Sequence, residues 1–362
     1  MKASTPILFT FTALALAPAL ALPLDPAGDG EWADLDREVE ALTSSLLHEG
    51  GGPGLFGRVR SAYRASSDGT PDLSAVGVAD ARLGVAGSHS GYSYRLEVDF
   101  ADDWGEGTLG LLDAQASFSV IDGVMATIGR FRPVISSDGL LDSGSMVFLE
   151  RSSIGTAFAA RDEGLMLQGT LSSLDWALSA MNGLDDQGDD ALLSARASWE
   201  FTASNESSPG NASGNGPVEG AHGVGGQLRA RVSASLVDDR SLADSDCTLM
   251  EFRAGAGNWS LAVDTVDVGS AGFTSLASGA FGFLAPDTNP HSVSGTYLLS
   301  DDWEMGLRVQ DLDQGNLVQR DLALTHYISG HDLKWTLGLS QTENEATGSR
   351  TELWGFALNV GF

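Results

Sequence analysis

The sequence predicts an all-β chain, a transmembrane antiparallel up-and-down β-barrel of about 16 strands, preceded by a short N-terminal helix. Three observations predict it. From Gly54 onward apolar residues recur at alternate positions, the period of a strand with one apolar and one wet face. Most of these segments run to nine or more residues. A tilted membrane strand needs roughly 9–11, whereas soluble strands average about 5–6. The last segment also ends on an aromatic, Phe362.

Composition narrows the classes further. The 362 residues carry 20 Lys+Arg against 49 Asp+Glu, a formal net charge of -29. That field repels a polyanion, so nucleic-acid binding is excluded. At 42% hydrophobic residues the chain is not an acidic disordered polymer. Cys247 is the only cysteine, which excludes an internal disulfide and Cys-rich zinc modules. Lys2 and Lys334 are the only lysines, so nearly every cation is an arginine.

Residues 1–21 read as a cleavable signal peptide. They begin Met1-Lys2, continue through an apolar stretch from Ile7 to Leu20, and end on Ala19-Leu20-Ala21. The stretch is short for a bilayer span of about 20 residues, and Pro18 interrupts it. Residues 22–53 form a separate piece, a Pro/Gly/Asp-rich linker and then an amphipathic helix. Trp32, Leu35, Val39, Leu42 and Leu46 stand three and four apart there. This piece serves as a periplasmic tether or plug, or as an oligomerisation stub.

Residues 54–362 are the barrel. The strands read 54–64, 73–85, 91–101, 108–120, 122–130, 163–171, 173–181, 191–201, 223–237, 246–254, 257–267, 291–299, 303–311, 320–328, 332–341 and 351–362. In the third, Tyr92, Tyr94, Leu96, Val98 and Phe100 oppose Ser93, Arg95, Glu97 and Asp99. In the last, Trp354, Phe356, Leu358, Val360 and Phe362 oppose Gly355, Ala357, Asn359 and Gly361. A soluble sandwich would bury such faces against a second sheet. A membrane barrel turns them to lipid and turns the wet faces to a lumen. Aromatics at the segment ends favour the barrel. The even-numbered strands leave mostly by short turns and the odd-numbered by longer acidic loops, the connection rule of outer-membrane barrels. The segment 202–222 breaks that rule: it is either a tolerated insertion or a missed hairpin.

The wet faces carry ten cations, Arg58, Arg60, Arg64, Arg95, Arg196, Arg229, Arg231, Arg253, Arg308 and Lys334. They carry eight acids, Glu97, Asp99, Asp113, Asp175, Glu200, Glu251, Asp264 and Glu304. Such a lumen either passes anions past its arginines or uses arginine and carboxylate to cross-brace the wall.

Two stretches resemble the phosphate-selective porin O and P family. One is Ile128-Gly129-Arg130-Phe131-Arg132-Pro133, followed by Phe148-Leu149-Glu150-Arg151-Ser152 and Arg161-Asp162-Glu163-Gly164. The other is Tyr327-Ile328-Ser329-Gly330-His331-Asp332-Leu333-Lys334. Trp176 to Gly183 is similar to the strand that follows in the family. The resemblance implies a sixteen-stranded, typically trimeric outer-membrane channel with its long third loop, here 131–162, folded inward. It implies basic positions at Arg130, Arg132, Arg151 and Arg161, which either bind phosphate oxygens or anchor the loop to the wall through Glu150, Asp162 and Glu163; anchoring is the reading for Arg151. With Arg58, Arg60, Arg95, Arg196, Arg229, Arg231, Arg308 and Lys334 these are the pore candidates. The near-absence of lysine departs from the family. The terminal aromatic strand resembles the signal read by the barrel-assembly machinery, so the expected partners are that machinery, the lipid bilayer, copies of the same chain in a trimer, and small solutes or ions.

Other readings are weaker. His326, beside Thr325 and Tyr327, is the one candidate for a barrel-embedded hydrolase, which needs an oriented Ser/His pair. No His or Cys pair stands at metal-ligand spacing, and no cofactor is expected. Asp185-Asp186 with Asp189-Asp190 could hold calcium but reads better as a solvated loop. A non-conducting structural or adhesive barrel requires a filled lumen, and sixteen strands enclose too wide a one for side chains alone.

Overall fold

The computed structural model describes residues 53–67, 73–101, 110–183, 190–202, 219–224, 226–274, 283–314 and 317–362. The expected signal peptide, the amphipathic helix and Asp185, Asp186 and Asp189 lie outside the described residues. The unit Gly51–Phe362 is a closed antiparallel barrel. In order its strands are β1 (Gly54–Ser67), β2 (Leu73–His89), β3 (Tyr92–Asp99), β4 (Gly110–Ile121), β5 (Val124–Phe131), β6 (Asp162–Leu171), β7 (Leu174–Met181), β8 (Leu192–Thr202), β9 (Arg229–Asp239), β10 (Cys247–Ala256), β11 (Trp259–Val268), β14 (His291–Ser300), β15 (Trp303–Asp311), β16 (Leu317–Ser329), β17 (Leu333–Asn344) and β18 (Ser349–Gly361). The two-residue strands β12 (Phe273–Thr274) and β13 (Phe283–Leu284) pair with each other outside the wall. The wall therefore has the expected sixteen strands. Closure comes from β1 against β18, with Val59 opposite Val360 and Tyr63 opposite Phe356. No described helix is long and apolar enough to cross a membrane; the crossing is made by strands.

The faces are inverted relative to a soluble protein. Trp354 is 52% exposed, whereas Glu304, Gln310 and Thr325, on the opposite parity, are 0% exposed. An apolar exterior around a hydrogen-bonded polar interior suits a hydrocarbon solvent. Closing the sheet leaves no unpaired edge, which lipid could not satisfy.

Tight turns close one end. Ser90 and Gly91 (φ 46° and 90°), Gly123, Ser172, Gly257 and Gly330 adopt left-handed backbone there, as short hairpins require. β8 pairs directly with β9 along eleven residues from Leu192↔Asp239 to Thr202↔Arg229. β8 and β9 are thus neighbours in the wall, with no strand between them among the described residues, and β9 begins at Arg229 rather than 223. A register shift between β1 and β2 at Arg60/Ser61 sets Asp80 opposite Arg60, on the lumenal side. Asp80 and Asp321, both missing from the sequence tally of lumenal acids, are paired with Arg58, Arg82 and Arg308. The apparent arginine surplus shrinks accordingly.

Candidate functional site

The segment between β5 and β6 folds into the lumen. It is built from short capped turns. Ser136 Oγ accepts from Gly139 N–H (3.1 Å) at the helix Ser137–Leu140, and Asp142 accepts from Gly144 N–H (2.8 Å) at a 3-10 turn. Ser152 Oγ accepts from Gly155 N–H (2.8 Å) at the helix Ser153–Ala157. Such caps satisfy N–H groups that a short helix leaves orphaned. Two predicted arginines hold the loop to itself: Arg132 donates to the Gly139 and Leu141 carbonyls (3.2 and 3.0 Å), and Arg151 to those of Asp138 and Leu141. Arg151 was expected to tie the loop to the wall through Glu150, Asp162 or Glu163; its hydrogen bonds run instead to carbonyls within the loop.

The loop is fastened to three sectors of wall. On β8–β10, Glu251 accepts from Ser137 N–H (2.8 Å) and pairs with Arg196, while Arg196 and Ser235 donate to the Ile135 carbonyl. On β15–β17, Gln310 accepts from Ser153 N–H, Arg308 donates to Glu150 O, Thr325 to Val147 O and Lys334 to Met146 O, at 2.6–2.9 Å. On β1–β2, Arg58 pairs with Asp142, Arg60 donates to Leu149 O, Arg64 pairs with Glu150 (2.5 Å) and Ser143 donates to Asp80 (2.7 Å). Gly338 and Gly355, opposite each other in β17 and β18, leave room for Leu149: a Cβ on Gly338 would lie 2.4 Å from its Cγ.

Electrostatics follow from this enclosure. Burial acts to raise the Asp142 carboxyl, but Arg58, Arg82 and the Gly144 N–H outweigh it and hold the group below the usual carboxylate range. Burial, with Arg161, Arg151 and Arg82 nearby, lowers Arg132 well below its ordinary value.

Towards the outer loops the site is capped by an apolar cluster. Inward residues of β9–β11, including Val237, Leu249 and Val266, pack with Ile135, Ile154 and Phe158 of the loop and Phe273 of β12. Periodicity had no means of announcing this cap, because its strand positions break the wet-face pattern only near the strand ends. Beside the loop a cavity of about 320 Å³ remains along β8–β15. It is lined by Arg229, Arg231, Arg253 and Arg308, by Asp138, Glu200, Glu219 and Asp264, and by Ser260, Ser292, Ser294 and Thr296.

The twelve predicted cations therefore divide. Arg229, Arg231 and Arg308 line the cavity. Arg58, Arg60, Arg196, Arg308 and Lys334 fasten the loop. Arg161 pairs with Asp113 (2.7 Å), and Arg95 with Glu97 and Asp113. Arg130 does not reach the lumen: it shares its parity with Ile128, which is 54% exposed, and pairs with Glu163 (2.6 Å) on the outer side. His326 likewise faces outward, between Trp303 and Trp335 (ring centroids 4.5 and 5.5 Å).

Sequence reasoning missed the end of the β8–β9 connection. Glu219 accepts from the Val147 and Phe148 N–H groups (2.7 and 3.4 Å) and stands 3.8 Å from Arg308. Burial and Asp138 push its carboxyl up, while Arg308 and those two N–H groups favour its ionised form.

Several solved structures are similar to the barrel, at identities that speak to fold alone. OmpF of Salmonella typhi, in complex with daunomycin, matches at 11% identity and TM-score 0.60, covering 87% of this chain and 99% of that one. The outer membrane channel DcaP of Acinetobacter baumannii matches at 16% and 0.55, covering 86% and 98%. A mutant porin of Rh. blastica matches at 13% and 0.53, covering 85% and 99%. No curated protein matches the chain by sequence. Residues 56–245, which hold β1 to β9 and the inward loop, match the family Phosphate-selective porin O and P, and the chain belongs to that family: it is a porin channel of the bacterial outer membrane, not an enzyme.

Proposed function

We propose that this porin is a weakly charge-selective diffusion channel for small hydrophilic solutes and ions, whose path runs past Arg229, Arg231, Arg253 and Arg308. The observation that carries the reading is the pairing of charges along the cavity. Arg231 meets Glu200 at 2.6 Å, Arg253 meets Asp264 at 2.7 Å and Arg308 meets Asp321 at 2.8 Å. A wall balanced in this way raises no large barrier to either sign of ion. Reversal potentials of single channels in a KCl gradient test it: near-equal chloride and potassium permeabilities are expected, and strong selectivity of either sign overturns it. Absence of any current would leave the structural barrel.

A second reading, passage of phosphate-like anions, is favoured by one observation. Arg58 Nε, Arg82 Nη1 and Arg132 Nε are buried without hydrogen-bond partners among the described residues, and spare guanidinium donors suit an oxyanion. Micromolar phosphate blocking the chloride current would select this reading over the first.

We further propose a homotrimer. Ala114 and Ala116 of β4 share the outward side, and small residues let two walls approach closely. Removal of 1–21 on export and a periplasmic position for 22–53 complete the proposal. Cross-linking in native membranes tests the trimer, and N-terminal sequencing of the purified protein tests the cleavage.

A further inference from the structure

The β8–β9 connection leaves the wall at the end of the tight turns, which is the periplasmic end. Its last residues nevertheless sit inside the barrel. Gly220 has φ 99°, and a Cβ there would lie 2.6 Å from both Glu304 Oε1 and Val147 Cγ2. The strap thus threads between the loop tip and the wall where only glycine fits. Ala221 N–H donates to Glu304 Oε1 (2.5 Å), Tyr327 Oη donates to Glu304 Oε2 (2.6 Å), and the His222 ring stacks on Tyr327 at 4.0 Å. These contacts fix the residue that precedes Gly220. Glu219 grips the loop through the Val147 and Phe148 N–H groups and turns its other oxygen toward Arg308.

We propose that Glu219 is a charge-selecting residue of the pore, delivered from the periplasmic side, so that the constriction is made by two segments entering from opposite ends of the barrel. The proposal rests on the channel reading above. Arg308 is already bound to Asp321, yet its Nη1 has no hydrogen-bond partner among the described residues and stands 3.8 Å from Glu219. Without the Glu219 charge the cavity keeps four arginines and loses one of its four lining carboxylates. The balance then tips toward anions. Glutamine preserves an acceptor for the two loop N–H groups, so Glu219→Gln removes charge while leaving the strap its grip.

Single channels recorded at pH 8 in a KCl gradient decide the matter. Glu219→Gln is expected to raise the chloride-to-potassium permeability ratio roughly threefold, as loss of one charge in a narrow low-dielectric path does. Unchanged reversal potential in a folded, heat-modifiable barrel overturns the proposal. A second variant guards against misassembly. In Glu219→Cys, a sulfonate-bearing thiol reagent should return the ratio toward wild type and a trimethylammonium-bearing one should raise it further. Cys247 is 2% exposed, so wild type serves as the unreactive control. Equal effects of the two reagents overturn the proposal, as does failure of both variants to assemble, which would make Glu219 structural. A wild type that passes no current refutes the channel reading itself, whereas a conducting wild type with an unaltered Glu219→Gln refutes only this inference.

Discussion

Lys334 donates to the Met146 carbonyl at 2.6 Å, joining residues 188 positions apart. The one lysine of the barrel is 3% exposed and serves the loop backbone rather than the permeating solute. Lys334→Met should therefore loosen the loop tip. A buried carbonyl left without its donor costs about 1–3 kcal/mol. The expected outcome is greater open-channel noise and faster proteolysis between 140 and 150 in detergent, with the reversal potential little changed. A quiet channel with altered selectivity would instead place Lys334 on the solute path.

The groove at Gly338 and Gly355 gives a second prediction. A side chain at Gly338 meets Leu149 Cγ at 2.4 Å and Cδ1 at 2.5 Å. Overpacking of this kind costs about 1–3 kcal/mol, and the loop, held by hydrogen bonds, yields before the wall does. Gly338→Leu is expected to leave heat-modifiable, sixteen-stranded barrels with a larger single-channel conductance. Wild-type conductance would show that Leu149 finds another seat at no cost to the constriction.

The outline of the wall was legible because lipid and lumen impose one rule on every strand. All sixteen strands follow from it, whereas the inward loop was implied by the family resemblance. The site was legible only in part. Arg130 was carried to the constriction by its motif, although its own parity with Ile128 points outward, and that signal was available in the sequence. Asp80 was hidden by a register shift at Arg60/Ser61, which alternation cannot anticipate. The arginines were found, but their carboxylate and carbonyl partners lie on other strands and in the loop. Glu219 sits in a polar Gly/Ser/Asn-rich stretch with no period at all, and only the folded chain brings it to Val147.

Glu251 joins wall and loop in one buried group. It is 3% exposed, pairs with Arg196 and Arg253, and accepts from Ser137. Removing one partner of a buried ion pair strands the other charge, at about 3–5 kcal/mol. Glu251→Ala should lower the urea midpoint of unfolding in detergent micelles by a large margin, and Glu251→Gln, which keeps the Ser137 acceptor, by less. Equal losses in the two variants would mean that the charge, not the hydrogen bond, carries the contribution.

The turn that holds His331 supplies a pH dependence. Its Nδ1 lies 3.3 Å from Lys334 Nζ, and its ring meets those of His222 and Tyr327 at 5.3 and 5.2 Å. Burial first, then Lys334 and His222, lower its pKa to about 3, against the weaker opposing pull of Asp142. A neutral ring is thus built into the fold. The unfolded ring titrates near its ordinary value of about 6.5. The stabilisation it brings is full above that pH and declines as pH falls toward the folded value, by up to about 1.4 kcal/mol per pH unit for one proton. Glu219 opposes this trend, since its raised carboxyl gains as pH falls, so the comparison must be made between variants. Between pH 7 and pH 4 the wild-type barrel should lose resistance to urea more steeply than His331→Gln. Parallel loss in both would assign the acid sensitivity to groups other than His331; Asp142, whose lowered pKa acts in the same direction, does so only as pH falls through and below the ordinary carboxylate range.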